Sequence, residues 1–206
     1  MLTKPQVITR FRNAAAKIIL ARDELIAIDA QFGNGNHGIT MEKIAASMLT
    51  VMARAEASDM DIKTMLNRIS TEIMTLNGGS SVPLWTTLFE GLGKGTPHAA
   101  ELDGSALKKM FRSCLDAMCD LSTARVGDKT MMDTLIPAVE AIIGCPSDDP
   151  AEILETGMIA AKKGAKSTQN FIAKFGSARD YKEATLGAMD AGAMSMMCFF
   201  IGLTKG

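Results

Sequence analysis

With 206 residues and a formal net charge of −1, the chain is long enough to bury a sizeable core but has no basic excess to draw it to nucleic acid or an anionic membrane. Its four cysteines (Cys114, Cys119, Cys145, Cys198) form no C-x-x-C pair and sit among apolar residues, which argues against zinc ligation or a disulfide framework and for buried free thiols in a reducing cytoplasm. The N-terminal stretch MLTKPQVITRFR has no apolar signal core, and the longest apolar run, residues 192–203, is too short to span a bilayer, so no membrane segment is expected.

Along the chain, apolar residues recur at helical spacing first over residues 5–30 (Val7, Phe11, Ala14, Ile18, Ile19, Leu25, Ile26). The same period returns over 39–57, 61–76, 82–93, 104–121, 131–143, 150–174 and 188–203, with almost no period-two alternation. Sixteen methionines and many alanines favour helix over sheet, the methionines serving as core filling. The expectation is an all-α fold, an eight-helix antiparallel up-down bundle or barrel formed by one domain over residues 1–206.

The joints divide into two kinds. The first, third, fifth and seventh read GNGNHG, NGGSSVP, TARVGDKT and ARDYKEATLGAMDAG; the second, fourth and sixth read EASDMD, GKGTPHAAELDG and GCPSDDP. In an up-down arrangement the odd joints gather at one end, bringing glycine, hydroxyl and amide groups onto one rim beside several helix N-termini, a plausible phosphate or nucleotide site. The even joints place Asp59, Asp61, Asp103, Asp148 and Pro150 where N-caps and first-turn prolines belong. Each odd joint taken alone reads more simply as a tight turn between helices; it is the four on one side that point to a ligand site.

Asp29, Asn34 and Asn36 could turn oxygens toward one hard cation such as Mg²⁺, although one carboxylate and two amides hold a dication less firmly than three carboxylates. The alternative is that asparagine and glycine supply turn conformations. His37 could cap a helix, contact a phosphate or anchor the loop, whereas His98 reads as a solvent-facing loop residue. The NGGSS stretch (77–81) offers consecutive N–H groups and two hydroxyls, or an ordinary cap with Pro83 in the first turn. In GDKTMMD (127–133), Thr130 reads as a cap and Asp133 as a first-turn acid, or Asp128 and Lys129 as chemical groups; Asp190, Ala191 and Gly192 cap the last helix or line a pocket.

Four segments together resemble the L subunit of dihydroxyacetone kinases and the ATP-binding domain of the single-chain enzymes. They are DAQFGNGNHG (29–38), GGSSVPLW (78–85), GDKTMMD (127–133) and DAGA (190–193), in the order of the family's D-x-x-x-G-D-G-D-H-G, G-G-x-S-G-P-L, G-D-K-T-M-x-D and D-P-G-A. The resemblance implies an eight-helix barrel with ADP or ATP at one rim, and magnesium at Asp29, Asn34 and Asn36, held weakly because two family aspartates are asparagine here. It implies phosphate or ribose contacts from His37, Gly38, Ile39, Thr40, Ser80 and Ser81, base contacts near Thr130 and Met131, and closure by Asp190, Ala191 and Gly192. It further implies phosphoryl transfer to a substrate held by a separate K subunit, in some systems with a phosphohistidine M subunit that recharges the nucleotide; the alternative is a weakened, non-catalytic relative that binds a nucleotide or a protein. Other departures are Val82 and Ala191 in the second and fourth motifs, and Phe171 and Ala178 approximately where family arginines stand.

Overall fold

The computed structural model describes residues 1–206 and contains nine α-helices and one two-residue pair of strands. The helices are α1 (Lys4–Leu20), α2 (Arg22–Asp29), α3 (His37–Glu56), α4 (Ile62–Met74), α5 (Ser81–Gly95), α6 (Gly104–Leu121), α7 (Met132–Gly144), α8 (Pro150–Ser167) and α9 (Ala191–Leu203). The strands are β1 (Leu2–Thr3) and β2 (Glu101–Leu102). The eight expected helices become nine because residues 5–30 bend at Ala21. Ala21 stays bonded to both helices across the bend: its N–H donates to Lys17 and its carbonyl accepts from Leu25.

The expected helix over 150–174 stops at Ser167 and passes into a 3₁₀ turn, Thr168–Asn170. Phe171 and Ile172 continue the apolar spacing on paper, but Phe171 is extended and only half-buried and Ile172 is exposed. No helix is long and apolar enough to cross a membrane.

Packing closes the helices into a ring in the order α1, α3, α4, α5, α6, α7, α8, α9 and back to α1, with α2 laid against α3 and α9. Closure requires close approach at Gly202, where a Cβ would overlap the backbone of Ala14 on α1. Inside the ring, Phe199 meets Phe11, Phe89 and Trp85 edge to face, with Trp85 and Phe199 ring centroids 5.5 Å apart at 87°. Phe111 and Phe200 extend the column. Such pairs add about 0.5–1.5 kcal/mol beyond the area they bury.

The two rims differ in chemistry. At the even rim the helix N-termini are closed by the chain itself: Asp61 accepts from Thr64 N–H at 2.7 Å, Asp103 from Ala106 at 2.7 Å and Asp149 from Ala151 at 3.2 Å. Gln6 reaches back to the Thr3 N–H at 2.9 Å to close α1. Asp61 and Asp103 thus cap as expected and Pro150 opens α8, but the cap of α8 is Asp149 rather than Asp148, and Asp59 caps nothing. Lysines finish the closure, Lys4 donating to the Ala55 and Ser58 carbonyls, Lys63 to Thr96, and Lys108 to Cys145 and Ser147. At the odd rim, Asn36, Ser80 and Met131 precede α3, α5 and α7 and make no side-chain cap.

Candidate functional site

The odd rim opens into two adjoining cavities that share Asp29, His37, Ser80, Ser81 and Ser177. The inner lobe, of about 340 Å³, reaches down to the aromatic column and has an apolar wall of Leu84, Trp85, Met131, Met132, Phe175 and Ala191. The outer lobe, of about 540 Å³, is polar, with Asn34, Asn36, Thr40, Lys43 and Asn77 to Ser81 on its walls and Ile39 as its one apolar residue. An apolar slot continuous with a polar, donor-rich trough is the shape that a nucleotide's base and phosphates require.

Joint three supplies the donors. The backbone N–H groups of Gly79, Ser80 and Ser81 make no hydrogen bond within the protein, and they stand at the N-terminus of α5, whose dipole favours an anion. Gly78 is required for its position, since a Cβ there would strike Thr40 and Val82 at 2.7 Å. The neighbouring N-terminus, α3, is partly closed because the His37 N–H donates to the Asp29 carboxylate at 3.2 Å.

The His37 ring joins three elements. Its Nδ1 lies 3.1 Å from Ser81 Oγ and its Nε2 3.1 Å from Ser195 Oγ on α9. The Ser195 hydroxyl donates its single proton to the Gly192 carbonyl at 2.9 Å, so it can only accept from the ring. That assigns the Nε2–H tautomer, with Nδ1 accepting from Ser81. Burial holds the ring pKa below the ordinary value, opposed by Asp29 and an interaction with the Ala191 backbone, so the neutral form that this pattern needs is favoured. Ser81 therefore turns its hydroxyl proton toward His37 and its lone pairs toward the cavity.

Joints five and seven are tied together beneath the inner lobe. Lys129, at φ 61° and 4% exposed, donates its ammonium to the carbonyls of Thr168 and Ala188. Asp133 is fully buried and accepts from the N–H groups of Gly127 and Thr130, both at 2.6 Å. Thr168 Oγ1 accepts from the Asp190 N–H at 3.0 Å, and Asp190 caps α9 through the Ala193 N–H at 2.7 Å. Burial pushes the Asp190 carboxyl up to about 7 against the pull of the Ala193 N–H and Lys129. Burial likewise raises the Asp133 pKa and lowers that of Lys129.

Of the site residues expected from the sequence, Asp29, His37, Ser80, Ser81, Thr130, Met131, Asp190, Ala191 and Gly192 line the inner lobe. Asn34, Asn36, Ile39 and Thr40 line the outer one. Gly38 lines neither: it packs α3 onto α2, where a Cβ would overlap the Arg22 carbonyl. Thr130 does not precede α7 as its cap residue; Met131 does, while Thr130 Oγ1 accepts from the Met132 N–H. Lys129 is a strap between joints, and Asp128 pairs with Lys174 at 2.7 Å instead of facing a ligand. His98 is exposed as expected but bonds Asp61 at 2.6 Å, and Ala178 lines the inner lobe whereas Phe171 does not.

The cation expected at Asp29, Asn34 and Asn36 is tested by the donors themselves. Asp29 Oδ2 is engaged by the His37 N–H, and Asn34 Oδ1 accepts from the Asn36 N–H at 3.0 Å, closing the loop on itself. No group of three His, Cys, Asp or Glu side chains is arranged to hold a metal. One carboxylate and two amides, with Asp29 Oδ2 and Asn34 Oδ1 already accepting backbone N–H groups, supply less charge to a magnesium ion than three free carboxylates would, in keeping with weakened binding.

Comparison with known proteins places the architecture. Residues 31–205 match the model of the DAK2 domain. The ADP-binding subunit DhaL of PEP-dependent dihydroxyacetone kinase 2 from Listeria innocua is 31% identical over 192 residues, covering 89% of this chain and 86% of that one. L-erythrulose kinase from Pectobacterium atrosepticum is 32% identical over 198 residues, but the match spans only 32% of that longer protein. The crystal structure of the dihydroxyacetone kinase from C. freundii in complex with AMP-PNP and Mg²⁺ superposes with a TM-score of 0.72 at 25% identity, over 97% of this chain and 33% of that one. The ring of helices is thus shared with the C. freundii enzyme, and the chain belongs to the DAK2 domain family.

Proposed function

We propose that residues 1–206 act as one nucleotide-binding unit, the phosphotransfer subunit of a dihydroxyacetone-type kinase for small ketoses or polyols. The observation that carries this reading is the two-lobed cavity, into which all four sequence motifs send residues. The base of ADP or ATP enters the inner lobe between Trp85, Met131 and Phe175, and the phosphates lie along Gly79, Ser80 and Ser81. The Listeria relative, named as an ADP-binding subunit and matched over most of its length, supports ADP as the ligand.

The chain's own residues contribute positioning and electrostatics. Free N–H groups at the start of α5 stabilise phosphate charge without having to reorganise. His37 holds Ser81 with its lone pairs outward, leaving anion binding to the backbone donors rather than to the hydroxyl proton. Lys129 and Asp133 fix joint five so that Thr130 and Met131 keep the base wall in place. The cavity lies open on the rim, so a separate K-like partner can present the ketose to the terminal phosphoryl group, and a phosphohistidine partner can recharge the nucleotide, both in the cytoplasm.

Two measurements test the proposal. Calorimetric titration is expected to detect ADP and ATP binding, and reconstitution with a ketose-loaded K subunit is expected to give phosphorylated ketose. Absence of turnover with every K-type partner, alongside intact ADP binding, would leave a nucleotide-binding module and remove the kinase role.

A further inference from the structure

The outer lobe has an unusual balance of charge. Asn36, the residue that precedes α3, and Thr40 and Lys43 on α3 fall at i, i+4 and i+7, so one face of the start of the helix lines the trough. Lys43 makes no ion pair and no hydrogen bond. The adjacent carboxylate, Glu42, turns away and is held by Arg22 at 2.8 Å. The facing joint contributes only neutral groups, Asn77, Gly78, Gly79, Ser80 and Ser81, and the only other charge in the lobe is Asp29. The loop that would carry acids for a metal instead closes on itself through Asn34 and the Asn36 N–H.

These observations form one pattern. In a trough walled by carboxylates, bound phosphates need divalent cations between like charges. In this trough two of those acids are amides, and an ammonium without a partner lies within reach of the same space. A flexible lysine is well suited to neutralise a phosphate as a point charge. We infer that Lys43 binds the terminal phosphate of a nucleoside diphosphate directly, so that this chain holds the nucleotide without requiring a divalent cation. The inference rests on the reading of the cavity as a nucleotide site and adds the group that replaces the metal charge.

The test is calorimetry of the whole chain with ADP and AMP, in EDTA and in Mg²⁺. Wild type is expected to bind ADP in EDTA within about threefold of its affinity in Mg²⁺, a difference of less than one pK unit in binding. Lys43→Ala is expected to weaken ADP binding about tenfold in EDTA, the loss of one hydrogen bond to a charged group, while AMP binding changes less than about twofold. Lys43→Arg should retain ADP affinity, and Asn34→Asp/Asn36→Asp should make binding dependent on Mg²⁺. Unchanged ADP affinity in Lys43→Ala would overturn the role of Lys43, and loss of wild-type ADP binding in EDTA with recovery in Mg²⁺ would overturn independence from the metal. Failure of wild type to bind either nucleotide under both conditions would overturn the nucleotide reading itself, a result distinguishable from the other two. Since Lys43 is exposed, its variants are expected to keep the wild-type unfolding temperature.

Discussion

The two rims of the barrel are made from the same helices and solve opposite problems. At the even rim, Asp61, Asp103 and Asp149 occupy the N-terminal donors of α4, α6 and α8, and lysines cover the carbonyls of the joints. At the odd rim, the cap residues of α3, α5 and α7 make no side-chain cap, the start of α5 keeps its donors open, and the joints include the left-handed residues Gly127, Lys129 and Gly187. Stabilising contacts and ligand-binding groups are thus placed at opposite ends of shared helices. A substitution at the even rim should change stability without changing the ligand, and one at an odd-rim residue that ties the joints together should change both.

Lys129→Met gives the largest expected effect. It removes the charged donor shared by the Thr168 and Ala188 carbonyls and loosens joint seven, at a cost of about 2–3 kcal/mol in chemical denaturation. ADP affinity should fall at least about tenfold, because Asp190 and Met131 lose their fixed separation. Wild-type nucleotide affinity in this variant would break the division between the rims.

Asp190→Asn keeps a good N-cap and removes a titration. In the wild type the folded carboxyl holds its proton up to about 7, whereas the unfolded chain releases it near the ordinary value of 3.8. The folded state therefore binds more protons between those limits, and stability falls as pH rises across that window and is level outside it. The slope from this group is at most about 1.4 kcal/mol per pH unit, and denaturation curves of the Asn variant should lack it.

Asp61→Ala should cost about 1 kcal/mol through the lost cap of α4, with ADP affinity unchanged. Thr64 and His98 hold the Asp61 carboxylate down to about 2 despite its burial. Its contribution is therefore complete above the unfolded value, near 4, and is lost as pH falls toward 2. His98→Ala is the smallest change, within about 1 kcal/mol, because the pair is exposed on the histidine side. A measurable shift in nucleotide binding from either even-rim variant would show that the ends communicate through the helices.

Much of this division is visible in the sequence because it is written in local chemistry. Alternate joints differ in glycine and aspartate content, and cap residues act within three positions of themselves, so Asp61 and Asp103 can be read directly. The error of one residue at Asp148 arises because two adjacent aspartates precede Pro150 and either spacing satisfies the same rule. Lys129 could not be assigned the same way: its acceptors are main-chain carbonyls 39 and 59 residues away, and a carbonyl has no residue type. Ser195 is similar, a small residue in an apolar helix that becomes informative only when closure of the ring brings it to His37. Lys43 looks like an ordinary solvated charge until α3 is placed beside joint three.

Closure of α9 onto α1 also fixes where the chain can be joined to anything else. The Arg10 guanidinium holds the Leu203 carbonyl and the Asn13 amide holds that of Lys205, so the C-terminal residues lie against the middle of α1, while the N-terminal residues precede α1 at the even rim. α3, with 20 residues, spans about 30 Å between the rims. A polypeptide continuing from the N-terminal end would begin that far from the odd-rim cavity, and would need about nine extended residues merely to travel the length of the barrel. A covalently attached partner would therefore reach the nucleotide on a long tether or serve the site of a neighbouring molecule, and the length of the connecting segment would decide which.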